Sequence, residues 1–68
     1  MPYKWIRIAE YKMRLQAQIV KNFLEDKNIN AVIVNKMDSA YGFGFLEIFV
    51  ERDSVIRAKK LIEDNINF

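Results

Sequence analysis

The run Gly44-Phe45-Leu46-Glu47-Ile48-Phe49-Val50 decides how this chain folds. Leu46, Ile48 and Val50 alternate with Phe45, Glu47 and Phe49, the period of two that marks a half-buried strand. One side of the strand is wholly aliphatic and needs burial. The other carries two aromatic rings and a carboxylate, more apolar surface than an isolated monomer usually leaves wet. Every other element has to be arranged around those two sides.

Toward the N-terminus, residues 3 to 9 repeat the alternation, with Trp5 and Arg7 on one side and Ile6 and Ile8 on the other. From about Lys12 to Lys27 the period becomes helical. Met13, Ala17, Val20 and Leu24 fall at three- and four-residue spacing, Ile19 and Phe23 widen the stripe, and Arg14, Gln18, Lys21 and Glu25 take the opposite side. Ala9-Glu10-Tyr11 offers no capping residue at the start of this helix. At its end, Asn28 tolerates the left-handed conformation that closes helices, and Ile29 can pack back onto the last turn.

The β-branched run Ala31-Val32-Ile33-Val34 predicts a second strand over about 30–36, and Asn35 to Phe43 is a connection. A second helix starts near Arg52 to Ser54, with Asp53 suited to the cap or first turn. It buries Val55, Ala58, Leu61 and Ile62 and solvates Lys59, Lys60, Glu63 and Asp64. Ile66-Asn67-Phe68 is too short to read as a strand.

The predicted order is β-α-β-β-α. A right-handed crossover sets the first two strands parallel with a gap, which the third fills antiparallel to both. The expected fold is therefore α+β and ferredoxin-like, a three-stranded antiparallel sheet with both helices on one face and the fourth strand short or absent. The first strand becomes a sheet edge. The open face holds Trp5, Arg7, Phe45, Glu47 and Phe49.

Sixty-eight residues make one small domain, 51% hydrophobic and 13% aromatic, with material for a core. Below roughly 70–80 residues a single core supplies only a few kcal/mol, and disulfides, a metal or a partner usually supplement it. Cysteine and histidine are both missing, which excludes the disulfide staple, thiolate chemistry, the common zinc sites and the neutral-pH acid/base. Self-association is the remaining device, so a homodimer is expected, through the free edge of the first strand or the open face. The competing arrangement packs Trp5 and Phe49 under a chain terminus, such as Phe68 crossing that face.

Eleven basic against nine acidic residues give a net charge of +2, and the pI is about 9.0. The charges are interspersed, which weighs against nucleic acid as a partner. No stretch reaches the ~18 apolar residues of a membrane span. Without a signal-like apolar segment the expected location is the cytoplasm. Catalysis finds no machinery: Ser39 and Ser54 have no histidine to activate them, and Glu25-Asp26 and Glu63-Asp64 are helix neighbours that point apart. Gly42 and Gly44 are too few for a phosphate-binding loop. The chain reads as a non-enzyme with no cofactor and no metal.

Two resemblances bear on function. Gly42-Phe43-Gly44-Phe45-Leu46 resembles the aromatic octapeptide of RNA-recognition domains, and Trp5 could supply a ring from the first strand. That reading makes a single-stranded RNA- or DNA-binding module using Trp5, Phe43 and Phe45. Against it, Tyr41 stands where Lys or Arg leads the motif, and Ile48 stands where an aromatic ends it. The longer match runs over nearly the whole chain. Trp5-Ile6-Arg7-Ile8, Phe23-Leu24-Glu25, Ile29-Asn30-Ala31-Val32, the loop Asn35-Lys36-x-Asp38-Ser39-x-Tyr41-x-x-Gly44, the strand Leu46 to Val50 and a helix with Ala58 and Leu61-Ile62 resemble a small bacterial family of prokaryotic signal-transducing proteins. The chain departs from that pattern at Asn28, where the family has Gly, at Phe45, where it has a polar residue, and at Ala9-Glu10-Tyr11, where it has a polar turn.

The resemblance implies a ferredoxin-like fold and, by analogy with nitrogen-regulatory P-II proteins, a sensing or adaptor role through a protein or small-molecule partner. Asn35, Lys36, Asp38, Ser39 and Tyr41 then form a docking loop for such a partner. The plainer role for Asp38 and Ser39 is to bond nearby backbone N–H groups in a turn while Tyr41 packs over the sheet edge.

Overall fold

A computed structural model of the chain describes residues 4–36 and 44–68. Its elements are β1 (Trp5–Tyr11), α1 (Arg14–Asp26), β2 (Ala31–Asn35), β3 (Leu46–Glu51), a 3-10 turn (Arg52–Ser54) and α2 (Val55–Asn65). The strands form one sheet in the order β1-β3-β2, with β3 antiparallel to both neighbours. This is the ferredoxin-like β-α-β-β-α arrangement expected from the sequence, with three strands among the described residues.

The aliphatic side of β3 sets the architecture. Leu46, Ile48 and Val50 are fully buried in one cluster with Ala17, Val20 and Leu24 of α1 and Ala58 of α2. Both helices therefore lie on the same face of the sheet. Ala17 and Ala58 are completely enclosed, and their small side chains let the helices close onto the strands. Each large aliphatic side chain in the cluster contributes about 1.5–3 kcal/mol by leaving water. The Cα trace is 15 Å across at its thinnest, enough for a sheet and one helical layer.

The end of α1 follows from two residues. Asn28 sits at φ 66°, in the left-handed region. Its N–H donates to Glu25 O, and the Ile29 N–H donates to Leu24 O, both at 3.0 Å. That pair of bonds is a Schellman closure, and its apolar contact joins Ile29 to Leu24 inside the core. The turn thus aims β2 back along the sheet.

Several boundaries differ from the sequence reading. β1 runs on to Tyr11, because a bulge between Arg7 and Ala9 resets its pairing to Ala9↔Ile48, Glu10↔Glu47 and Tyr11↔Leu46. Ala9-Glu10-Tyr11 is the end of a strand, not a turn. Met13 is the N-cap of α1, has no helical phase, and is exposed. Ile19 is exposed too, since one residue from Val20 means about 100° of rotation away from the sheet. At the other end, the 3-10 turn precedes α2, with Asp53 in its first turn and no side-chain cap.

Phe68 does not cross the open face. Its ring meets Tyr11 edge-on, with centroids 5.6 Å apart. Tyr11 pairs with Leu46 and packs against the core cluster, which places that contact on the helix side.

Two expectations follow. Asn28→Val should cost about 1–2 kcal/mol by forcing a branched residue into the left-handed region, whereas Asn28→Gly should hold or raise stability. Urea denaturation of the two variants checks this, and equal losses would remove the backbone explanation. The second concerns alkaline pH. Burial pushes the Tyr11 phenol above its ordinary value of 10.0, so the fold prefers the neutral form. Its contribution is intact below about pH 10 and lost as pH rises through the higher folded value. Tyr11→Phe should therefore flatten the alkaline loss of stability, read from melting temperatures across that range.

Candidate functional site

The open face is built by register. Side chains directly paired across strands point to the same side, so the pairs fix its rows. Trp5 lies beside Glu51, then Arg7 beside Phe49 and Val32, then Glu10 beside Glu47 and Val34. The Lys36 N–H donates to Phe45 O at 2.8 Å, extending the β2–β3 ladder by one further row. The structure thus brings Trp5, Arg7, Phe45 and Phe49 together on one face.

The centre of that face is ionic. Glu47 is only 9% exposed, and Arg7 Nη1 reaches its Oε2 at 2.8 Å. The same nitrogen stands 3.8 Å from Glu10 Oε2. Glu10 and Glu47 are direct cross-strand neighbours, so their like charges would repel without the guanidinium between them. The Glu47 hydrogen bond, its charge and then that of Glu10 hold Arg7 firmly protonated. A second polar link, Asn30 Nδ2 to Glu51 Oε1 at 2.9 Å, ties the start of β2 to the same face.

Around this centre are aromatic groups. Trp5 and Phe49 are half-buried, and Phe45 is 40% exposed. The near-burial of Glu47 was not visible in the alternating pattern, which shows only that it points away from the core. Its partner lies one strand away, in Arg7, which pairs with Phe49 and reaches Glu47 diagonally.

Of the predicted docking loop, Asn35 closes β2 and Lys36 follows it, both exposed. Asp38, Ser39 and Tyr41 lie outside the described residues, as does Phe43 of the nucleic-acid reading. Among the described residues no group of three or more acidic, histidine or cysteine side chains could hold a metal ion. No helix among them is long and apolar enough to cross a membrane.

The ionic centre yields a test. Arg7→Ala should lower the melting temperature more than Glu10→Ala, because it leaves two facing carboxylates uncompensated. Adding Glu47→Gln to Arg7→Ala should recover part of the loss. If the double variant melts no higher than Arg7→Ala, Arg7 acts by packing alone.

No curated protein and no solved structure matches the chain. A family model described as "putative prokaryotic signal transducing protein" matches residues 5–66, from the first residue of β1 to the residue after α2. That span takes in the whole sheet, both helices and the connection between β2 and β3, and the chain belongs to this family.

Proposed function

We propose that the chain works without catalysing a reaction, as a small regulatory domain that self-associates through its open sheet face. The observation that carries this reading is the composition of that face: Trp5, Phe45 and Phe49 around an Arg7–Glu47–Glu10 centre. The family description supports a role in signalling, which needs a surface that meets a partner.

A second copy suits this face for two reasons. Its charges are mixed, with Arg7 and Lys36 against Glu10, Glu47 and Glu51, so two identical faces can complement each other about a two-fold axis. A chain of this size without cysteine or histidine also gains most from burying its remaining aromatic surface. The edge of β1 is the poorer contact, because its bulge interrupts the ladder a second strand would extend. Three carboxylates on the face are the wrong sign for a phosphate backbone, which favours protein over single-stranded nucleic acid.

Sedimentation velocity of the wild type and Trp5→Glu tests the proposal. The wild type should sediment as a dimer at tens of micromolar, a range typical of weak specific interfaces. Trp5→Glu should sediment as a folded monomer. A monomeric wild type, or a Trp5→Glu variant that stays dimeric, rules out this interface.

A further inference from the structure

We infer that the outer edge of β2 is a docking site for an extended acidic peptide segment, which adds to the sheet as a fourth strand. This surface adjoins the open face along β2 but uses the strand's outward backbone and the α1 side of the sheet, so the inference is tested apart from the dimer.

The first support is the backbone. β2 pairs with β3 alone among the described residues, in an unbroken register from Ala31↔Val50 to Asn35↔Leu46. Bonded and non-bonded pairs alternate in an antiparallel ladder. The bond from Lys36 N–H to Phe45 O places Lys36, Val34 and Val32 in the bonded set. Ile33 and Ala31 therefore turn their N–H and C=O groups outward, at the spacing an added strand requires.

The two edges of the sheet are unlike. β1 is blunted by its bulge and by Arg7 and Glu10 along its length. β2 is unbroken in register, β-branched at its centre and free of charged residues from Ala31 to Asn35. Natural sheets protect edges with bulges and charges, and β2 carries neither device.

The third support is a groove of about 480 Å³ along that edge. Its lining includes Val32, which points to the open face, and Ile33, which points to the helix face. The groove thus follows the strand edge itself. Ile33 gives it an apolar floor backed by the buried Leu46, and Arg14, Gln18 and Lys21 of α1 form one wall at positions one turn apart. Glu25 pairs with Lys21 at 3.2 Å but does not line the groove. Arg14 has no acidic partner among the described residues. A strand seated here meets main-chain hydrogen-bonding groups on one side and, on the other, the uncompensated Arg14 beside the Lys21–Glu25 pair, which selects carboxylates on the helix side. A second copy pairing β2 to β2 would instead bring two such cationic walls together.

The test uses an end-capped heptapeptide of alternating valine and glutamate, with a valine–lysine counterpart, titrated into the isotope-labelled full chain at low salt. The acidic peptide should shift the backbone amide signals of Ala31 to Asn35 and those of α1 around Arg14. Arg14→Glu should weaken it about tenfold, one reversed contact being worth near 1.4 kcal/mol, and should favour the lysine peptide. Binding should persist in Trp5→Glu, which separates this edge from the dimer face. No shift on β2, shifts confined to Trp5 and Phe49, equal binding of both peptides, or β2 amides already protected in a wild-type dimer would each overturn the assignment.

Discussion

The structure depends on one strand that must satisfy two faces at once. β3 is the middle strand, and its alternate residues Leu46, Ile48 and Val50 are the floor on which both helices rest. Because strand side chains alternate strictly, burying that row fixes the direction of Phe45, Glu47 and Phe49 without further choice. A slip of one residue would drive a carboxylate under the helices. The register is therefore held by the core, and the open face inherits its geometry from residues it never touches.

The bulge in β1 shows how the second face was adjusted within that constraint. Without it, one continuous pleat through Trp5 and Arg7 would carry Ala9 and Tyr11 to the open face. With it, Ala9 and Tyr11 return to the core side opposite Ile48 and Leu46, and Glu10 joins Arg7 on the other. One extra residue thus lets Tyr11 seal the core while Arg7 reaches both Glu47 and Glu10. The cost is a broken ladder at the outer edge, and that same break protects β1 from unwanted strand pairing.

These details mark how far the sequence could be read. The strand of alternating Leu46, Ile48 and Val50, the Asn28 closure and the helices' shared face were all legible, because each rests on a local period or a residue with a special backbone preference. The bulge was not, since Ile6 and Ile8 continue the alternation smoothly and only pairing with β3 reveals the extra residue. Met13 and Ile19 were misplaced in the buried stripe because apolar spacing fixes a helix face only to within a turn's width. The near-burial of Glu47 depends on Arg7 from forty residues away, and no local pattern encodes that. Within the candidate site, the membership of the open face was legible and its ionic centre was not. The signature Asp38, Ser39 and Tyr41 lie outside the described residues.

Among the described residues, three strands under one layer of helices leave one helix-covered face, one bare face and two edges, and the chain treats them differently. The bare face holds aromatic rings about two carboxylates bridged by one guanidinium, which suits a large, mixed and self-complementary contact. The β1 edge is bent and charged. The β2 edge is unbroken, with an apolar floor beside Arg14 and Lys21, and suits a narrow contact with an extended chain of opposite charge. The two surfaces meet at β2, where Val32 and Val34 belong to the face while Ile33 offers its backbone outward. Pleating makes this division unavoidable, because neighbouring residues of one strand serve opposite sides.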